Sequence, residues 1–294
     1  MATLLQASTI EELARVLGQK EWSAPWSSLV AIQPGSSKPP LFCVHPVGGN
    51  VLEYLNLIPY LGSDQPVYGL QAQGLDGKQT PLNRVEDMAT HYIKEICTVQ
   101  PEGPYFLAGF SFGGLVAFEM AQQLHTQGQK VALIALFDSH SPKLRENRSS
   151  LLRRVCIHLT NLWQLEPMER FHYVRTLVRW YTNKGDYKEF LRNHLPDSLL
   201  NLDVVDANLQ ATKDYVAEVY PGRVTLFRCS VQGPQFSHDP QLGWDSLVDG
   251  ELETYTVPGD HDGMFKESRV QVLAEKLKLC LDKAQAEHGF DSTS

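Results

Sequence analysis

Short apolar runs alternate with longer amphipathic segments through the first half of the chain. The run at Leu41–Val44 is apolar at each position, which is typical of a strand buried on both faces of a sheet. Residues 84–100 instead repeat apolar side chains at helical spacing and predict an amphipathic helix. Similar patterns predict helices over 50–61 and after residue 111. The predicted strands are 29–33, 41–44, 67–72, 105–110, 131–137, 224–229 and 251–257.

This alternation predicts an α/β fold, in which a mostly parallel sheet is covered by helices on both faces. The alternation stops over about 142–218, where helices alone are predicted. It resumes with two strands and a last amphipathic helix. Ligands bind at the carboxyl ends of strands in such sheets, so we expect the insertion to form a helical lid there. Its predicted helices are 151–165, 167–181, 187–194 and 202–220.

The composition of the chain argues against several classes of function. The chain has 294 residues, 43% of them hydrophobic, which suffices for a full core. A net charge of −8 argues against a nucleic-acid partner. The five cysteines form no C-x-x-C pair and predict free thiols in a reducing compartment, hence a cytoplasmic protein. No apolar run approaches the roughly 20 residues of a membrane span, and no metal-ligand spacing, P-loop or G-x-G-x-x-G motif is present.

A G-x-S-x-G motif lies between a predicted strand and a predicted helix. It runs from Gly109 through Ser111 to Gly113. Strand, tight turn and helix are the context of a nucleophile elbow, in which a strained turn lifts the serine hydroxyl clear of the sheet. The start of the helix offers N–H groups to a developing oxyanion. The alternative is a Gly/Ser turn in a β-α unit without chemistry.

A serine nucleophile needs a base, and the base needs an orienting carboxylate. Asp138 ends the strand that follows the elbow, and His261 lies in the turn after the last predicted strand. Both therefore belong at the same edge of the sheet as Ser111, in the order Ser, Asp, His. A turn cap is the alternative role for Asp138. Among other histidines, we interpret His45 as shaping a turn, and His158, His172 and His194 as part of the insertion.

The oxyanion should be bound by two backbone N–H groups. The first belongs to Phe112, directly after the nucleophile, and the second to the turn 45–49 after the second strand. Because Pro46 has no N–H, we expect Val47 to be the second donor. The alternative for 45–49 is a plain glycine-rich turn. We expect the substrate to be contacted by Pro46, Phe110, His140 and Asp262.

Taken together, these segments resemble the type I thioesterase domains that end nonribosomal peptide and polyketide synthases, within the α/β-hydrolase superfamily. The resemblance spans about residues 28–281 in the family's order. It is carried by residues 42–49, 109–114, 136–139, 220–224, 243–244 and 257–261. It implies an α/β-hydrolase fold with a lid.

The resemblance also implies a reaction. Ser111 would accept an acyl or peptidyl chain, with His261 as base and Asp138 as its orienter. The chain would arrive as a thioester on the phosphopantetheine arm of an upstream carrier domain, so that no cofactor is expected in this chain. Water or a nucleophile within the acyl chain would then release an acid or a macrocycle.

Residues 4–17 resemble the last helix of a carrier domain. We therefore expect 1–27 to be a carrier remnant with its linker, and 28–294 to be the thioesterase domain, acting as a monomer. Residues 141–200 carry a charge of about +5, which suits an acidic carrier or the phosphate of its arm, although a solvated helical face explains it equally well. The alternatives are a free-standing editing thioesterase, a carboxylesterase, or a non-catalytic binding domain with a hydrolase fold.

Overall fold

The computed structural model describes residues 26–35, 38–143, 158–160, 162–163, 170–171, 173–174, 178, 201–232 and 239–290. The predicted carrier-like helix at 4–17 lies outside these residues. So does most of the predicted insertion, including 187–194 and nearly all of 151–165 and 167–181. The predicted lid therefore stays a prediction.

The core of the molecule is a seven-stranded sheet in the order β1-β3-β2-β4-β5-β6-β7. β1 is antiparallel to β3, and every other neighbouring pair is parallel. This topology confirms the predicted mostly parallel sheet. The strands are β1 (Leu29–Gln33), β2 (Leu41–Val44), β3 (Val67–Leu70), β4 (Tyr105–Phe110), β5 (Val131–Phe137), β6 (Val224–Cys229) and β7 (Leu252–Val257).

Helices cover both faces of the sheet. Successive residues of β4 point to opposite faces, so that Tyr105 and Leu107 join one apolar cluster while Phe106 and Ala108 join the other. The first cluster contains α2, α3 and α4, and the second contains α1 and α5. The helices are α1 (Ile58–Leu61), α2 (Val85–Cys97), α3 (Phe112–Thr126), α4 (Leu202–Asp214) and α5 (Glu267–Glu287).

Two predicted helices differ in the structure. Residues 50–61 form a 3-10 helix, Leu52–Asn56, and then the single turn α1. Pro59 near the start of α1 has no N–H and its ring would clash with the carbonyl four residues back, which breaks a continuous helix. The predicted helix 202–220 ends at Asp214. Tyr215 is extended instead, and the chain continues to Tyr220, which forms a parallel bridge with Val248.

The carboxyl ends of four parallel strands meet at one edge of the sheet. Ser111 follows β4, Asp138 follows β5, and His261 lies a few residues past β7. The turn 45–49 follows β2, which is the neighbour of β4. The fold thus gathers, at one edge, groups that are up to 216 positions apart along the chain, from residue 45 to residue 261.

Candidate active site

Ser111 occupies the sharp turn that joins β4 to α3. Its backbone has φ 55° and ψ −117°, a conformation that costs a non-glycine residue about 1–3 kcal/mol. Two backbone bonds hold it: Ser111 N–H donates to Phe137 O at 2.9 Å, and Gly114 N–H donates to Ser111 O at 3.1 Å. The side chain is partly exposed. The turn therefore presents the hydroxyl beside the first N–H groups of α3.

The glycines around Ser111 are required by space. A Cβ at Gly109 would overlap the carbonyl of Gly113, and a Cβ at Gly113 would overlap the carbonyl of Val44 at the end of β2. A Cβ at Gly114 would overlap the side chain of Ser139. Real side chains cannot approach backbone this closely. The motif therefore has a steric cause, because α3 begins almost in contact with the strands on either side of β4.

Asp138 follows β5 with φ 42° and is 1% exposed. Its carboxylate has hydrogen-bond partners on both oxygens. Oδ1 accepts from Cys229 N–H at 2.8 Å and from Gln232 Nε2 at 2.6 Å. Oδ2 lies 2.8 Å from His261 Nδ1. The structure thus brings the predicted carboxylate and the predicted base into direct contact.

Burial and pairing act in opposite directions on these two groups. Burial alone would raise the pKa of Asp138, but the hydrogen bond and the charge of His261 lower it to about 2. Burial likewise opposes the charged form of His261, but the bond to Asp138 and the charges of Asp138, Asp262 and Asp260 together outweigh it and raise the imidazole pKa above 6.5. An ionised carboxylate can only accept, so Nδ1 carries the proton. The neutral ring then keeps its lone pair on Nε2.

The ring of His261 is held next to the elbow. The residue itself is the first of a 3-10 helix, His261–Gly263, in the loop after β7. The ring stacks on that of Phe110 with centroids 4.7 Å apart, and Phe110 directly precedes Ser111. The side chain remains 33% exposed. This imidazole is therefore buried on its Asp138 side while part of it stays open at the elbow.

The turn 45–49 is built around a neutral histidine. Burial lowers the pKa of His45 to about 4, and the ring is 0% exposed. Its Nδ1 lies 2.7 Å from Pro46 O, which can only accept, so Nδ1 is the protonated nitrogen. Nε2 then accepts from the hydroxyl of Tyr92 at 2.7 Å. Pro46 O also accepts from Gly49 N–H at 2.9 Å, which closes the turn.

The two predicted oxyanion donors lie on neighbouring elements. Phe112 is the first residue of α3, so its N–H has no acceptor in a preceding helical turn. Val47 is the second residue of the 45–49 turn, and the bond that closes this turn uses the N–H of Gly49 instead. The rings of His45 and Phe112 have centroids 5.9 Å apart. The turn after β2 and the start of α3 are therefore adjacent.

Comparison with known protein families shows to which family this chain belongs. Residues 39–279 match the thioesterase domain family. The chain belongs to that family. The match covers most of the chain, and it confirms the resemblance stated from the sequence. The family and the fold are those of hydrolases acting on thioesters.

The relatives of this thioesterase domain are synthetases. Malpinin synthetase of Mortierella alpina is 48% identical over 97% of the chain, and nonribosomal peptide synthetase btyA of Aspergillus terreus is 40% identical over 96%. The chain spans only 4% of the first and 32% of the second. It therefore corresponds to a small part of each synthetase.

Solved structures agree with this assignment. The NocB thioesterase domain, in covalent complex with a fluorophosphonate nocardicin G analog, has a TM-score of 0.63 and 27% identity, covering 87% of this chain and 100% of that one. The four-domain nonribosomal peptide synthetase AB3403 has a TM-score of 0.68 and 27% identity, covering 94% of this chain and 22% of that one. These neighbours confirm the fold and the kinship with nonribosomal peptide synthetase thioesterase domains.

Sequence patterns missed several polar residues of the thioesterase site. Tyr54 is 0% exposed; its hydroxyl donates to Val44 O at 2.6 Å and accepts from Phe110 N–H at 2.9 Å. It thereby joins the ends of β2 and β4, directly before the two turns of the site. Gln232 and Asn208 were missed as well, although Asn208 interrupts the apolar stripe of α4, and such an interruption is a usable signal.

The four residues predicted to contact substrate occupy different places. Phe110 supports the ring of His261, and Pro46 is buried in the 45–49 turn. His140 lies beside the acid–base pair, with its ring centroid 6.4 Å from that of His261, and burial lowers its pKa. Asp262 is exposed, next to His261. Of the four, Asp262 is the one at the surface.

Two kinds of feature are absent from the part of the chain that the structure describes. No group of three or more histidine, cysteine, aspartate or glutamate side chains is arranged to hold a metal ion in the ranges that the structure covers. Within the same ranges, no helix has the length and apolarity needed to span a bilayer.

Proposed function

We propose that this thioesterase domain takes an acyl or peptidyl chain from a carrier-bound thioester onto Ser111 and releases it by hydrolysis or macrocyclisation. His261 is the general base and Asp138 orients it. One observation supports this most strongly: the 2.8 Å contact between Asp138 and His261, whose ring stacks on the residue that precedes Ser111.

Acylation follows from these roles. The Ser111 hydroxyl oxygen attacks the thioester carbonyl carbon while its proton passes to His261 Nε2. The carbonyl oxygen becomes an oxyanion, which accepts from the N–H groups of Val47 and Phe112. When the oxyanion collapses, the carbon–sulfur bond breaks, and the thiolate takes the proton from His261. An ester on Ser111 remains and the thiol departs.

Deacylation repeats the proton transfers with a different nucleophile. His261 Nε2 removes a proton from water, or from a hydroxyl or amine within the acyl chain, as that group attacks the ester. The bond between the acyl carbon and the Ser111 oxygen breaks, and the serine takes the proton back. Water yields a free acid and an internal nucleophile yields a ring. In both steps Asp138 stabilises the imidazolium that forms transiently.

The comparisons favour a carrier as the source of the substrate. The relatives are multidomain synthetases of which this chain matches a minor part. We therefore propose an upstream carrier domain as the partner, its phosphopantetheine arm delivering the chain to Ser111 without a cofactor in this domain. We also propose that residues 1–27 are the carrier remnant with its linker, and that the domain acts as a cytoplasmic monomer.

The test is covalent labelling with an alkyl fluorophosphonate, read by intact mass. One phosphonyl adduct is expected on the wild-type protein and none on Ser111→Ala. Ser139→Ala is the matched control, because Ser139 is a buried serine that lies against Gly114 of the elbow, and it should still be labelled. Absence of an adduct on the wild type, or an equal adduct on Ser111→Ala, would contradict the proposal.

A second measurement separates the two modes of release. The protein is incubated with N-acetylcysteamine thioesters of hexanoic acid and of a long ω-hydroxy acid. Thiol release from the first is expected to depend on Ser111. The products of the second differ by the mass of one water, so that mass spectrometry distinguishes the free acid from the lactone.

A further inference from the structure

Asn208 is a polar residue at an apolar position. It lies in the middle of α4, whose other buried residues are Val204, Val205 and Ala211. The side chain is 1% exposed. Burying an amide costs free energy unless its hydrogen bonds are satisfied, and a hydrophobic residue would pack at this position without that cost. Packing alone therefore does not explain why an amide occupies this position.

The partner of the amide is the oxyanion turn. Asn208 Nδ2 donates to Val47 O at 2.9 Å across 161 positions of sequence. The helix also touches the turn directly, because a Cβ at Gly49 would come within 2.7 Å of Val204 Cγ1. A helix near the end of the predicted insertion thus reaches back to the turn that follows β2.

This bond completes the fixation of Val47. A residue has two soft dihedral angles, and each links its Cα to one rigid peptide plane. The plane before Val47 is held through Pro46 O, which accepts from His45 Nδ1 and Gly49 N–H. The plane after Val47 is held through Val47 O by Asn208. The Val47 N–H lies in the first of these planes. The bond from Asn208 holds the second plane, so that φ and ψ of Val47 are set and the residue that carries the N–H is anchored on its other side as well.

We propose that Asn208 is a positioning residue of the oxyanion hole: by holding the carbonyl of Val47 it anchors the turn 45–49, and so keeps the Val47 N–H aimed at the developing oxyanion. This inference rests on the proposed function, in which the Val47 N–H is a donor to that oxyanion. Asn208 acts through Val47 and has no contact with the substrate in this role.

The role predicts a particular kinetic signature. The oxyanion exists only in the transition state and the tetrahedral intermediate, so a poorly aimed Val47 N–H weakens binding there and leaves ground-state binding unchanged. Loss of a whole oxyanion donor costs about 100- to 1,000-fold in kcat, and a donor that is only misaligned should cost less. We expect kcat to fall while KM stays nearly constant.

The experiment uses Asn208→Leu, which keeps the branched shape and the number of heavy atoms, with somewhat larger methyl groups, and removes the donor. We expect its fluorophosphonate labelling and its kcat with hexanoyl N-acetylcysteamine to fall about 10- to 100-fold, with KM within about twofold of wild type. Asn201→Ala is the matched control. Asn201 caps the same helix and donates to Gly74 O, so the change loosens α4 without touching Val47. It should label within about twofold of the wild-type rate.

A second variant covers the case in which Asn208→Leu does not fold. Asn208→Asp has the same shape, but its ionised carboxylate cannot donate to Val47 O. Its labelling rate, divided by the wild-type rate at each pH, should be lowest at high pH and should recover as the carboxyl gains a proton to donate. A folded Asn208→Leu or Asn208→Asp that labels at the wild-type rate throughout would overturn the inference. A wild-type protein that is not labelled would instead overturn the proposed function.

Discussion

The elbow and the hydrogen-bonded parts of the site are held in place by different physics. The elbow (residues 109–114) is fixed by steric contact: its glycines let α3 begin almost in contact with the backbone of β2, where no larger residue fits. The Asp138–His261 pair and the 45–49 turn are fixed by directed bonds from Gln232, Tyr92 and Asn208, which are distant in the sequence.

The elbow and the hydrogen-bonded parts of the site should therefore respond differently to substitution. A steric requirement fails abruptly, because an added methyl group has nowhere to go when its neighbour is backbone. A hydrogen-bonded arrangement should fail gradually, because each bond contributes about 0.5–1.5 kcal/mol and others remain when one is lost. Substitutions of the elbow glycines should therefore unfold the protein. Substitutions of the residues that supply the hydrogen bonds should leave it folded and lower the rate by degrees.

The largest effect is expected from Gly113→Ala. Its Cβ would overlap the carbonyl of Val44, so that β2 and α3 must separate. We expect about 3 kcal/mol or more of lost stability in urea unfolding and no fluorophosphonate labelling. Gly128→Ala is the control. Gly128 follows the same helix with φ 75°, and a Cβ there would meet nothing within 4 Å, so only conformational strain of about 1 kcal/mol opposes the change. Equal losses in both variants would remove the steric explanation of the elbow.

The next effect belongs to Asp138→Asn. The variant keeps the shape of the side chain and should fold, but it no longer stabilises the imidazolium or enforces the Nδ1–H tautomer of His261. We expect labelling and turnover to fall by about 10⁴. Circular dichroism and thermal unfolding show whether the fold is retained. A variant that folds and labels within tenfold of wild type would break the link between Asp138 and His261.

The same pair sets a pH dependence. The base form of His261 is the neutral ring. Burial lowers its pKa, but the bond and the charge of Asp138, with the charges of Asp262 and Asp260, raise that pKa above 6.5 overall. Wild-type labelling should therefore rise with pH through a midpoint above 6.5, because the imidazolium cannot accept a proton from Ser111. In Asp138→Asn the charge that stabilises the imidazolium is gone, so the midpoint of the residual rate should move to lower pH. An unchanged midpoint would mean that another group titrates.

Much of this site could be predicted from the sequence because steric and topological rules are local. The glycines around Ser111 predict the elbow because a strand pattern precedes them and a helix pattern follows. The rule that parallel strands end at one edge then places Asp138 and His261 beside it. The bonds of Gln232 and Tyr54 could not be predicted. Neither residue stands in a motif, and their partners are fixed only when the chain has folded.

The fold shows the same division. The strands follow from periodicity, and the mostly parallel sheet is as predicted. The predicted helix over 202–220 was too long, because periodicity does not report that Tyr215 and Tyr220 pack into the core from an extended segment. Tertiary packing overrides local pattern in that segment.

A smaller effect is expected from Tyr92→Phe. It leaves Nε2 of the buried His45 without its donor, which should cost about 1–3 kcal/mol of stability, and it loosens the turn that carries Val47. We expect labelling to slow by about tenfold. Tyr105→Phe is the matched control, because the Tyr105 hydroxyl donates to Gln100 O at the opposite end of β4. Tyr105→Phe should be less stable but should be labelled at the wild-type rate. If labelling slowed equally in Tyr92→Phe and Tyr105→Phe, the slowing would come from general loss of stability and not from the turn.

The smallest effect is expected from Gln232→Leu. Gln232 Nε2 donates to Asp138 Oδ1 at 2.6 Å, but the N–H of Cys229 donates to the same oxygen at 2.8 Å and remains in the variant. The carboxylate should therefore stay ionised and bonded to His261, with a rate loss of about three- to tenfold and an unchanged pH midpoint. The pH profile of labelling is the measurement. A loss as large as that of Asp138→Asn would show that Gln232 alone keeps the carboxylate aimed, and that these bonds fail as abruptly as the elbow does.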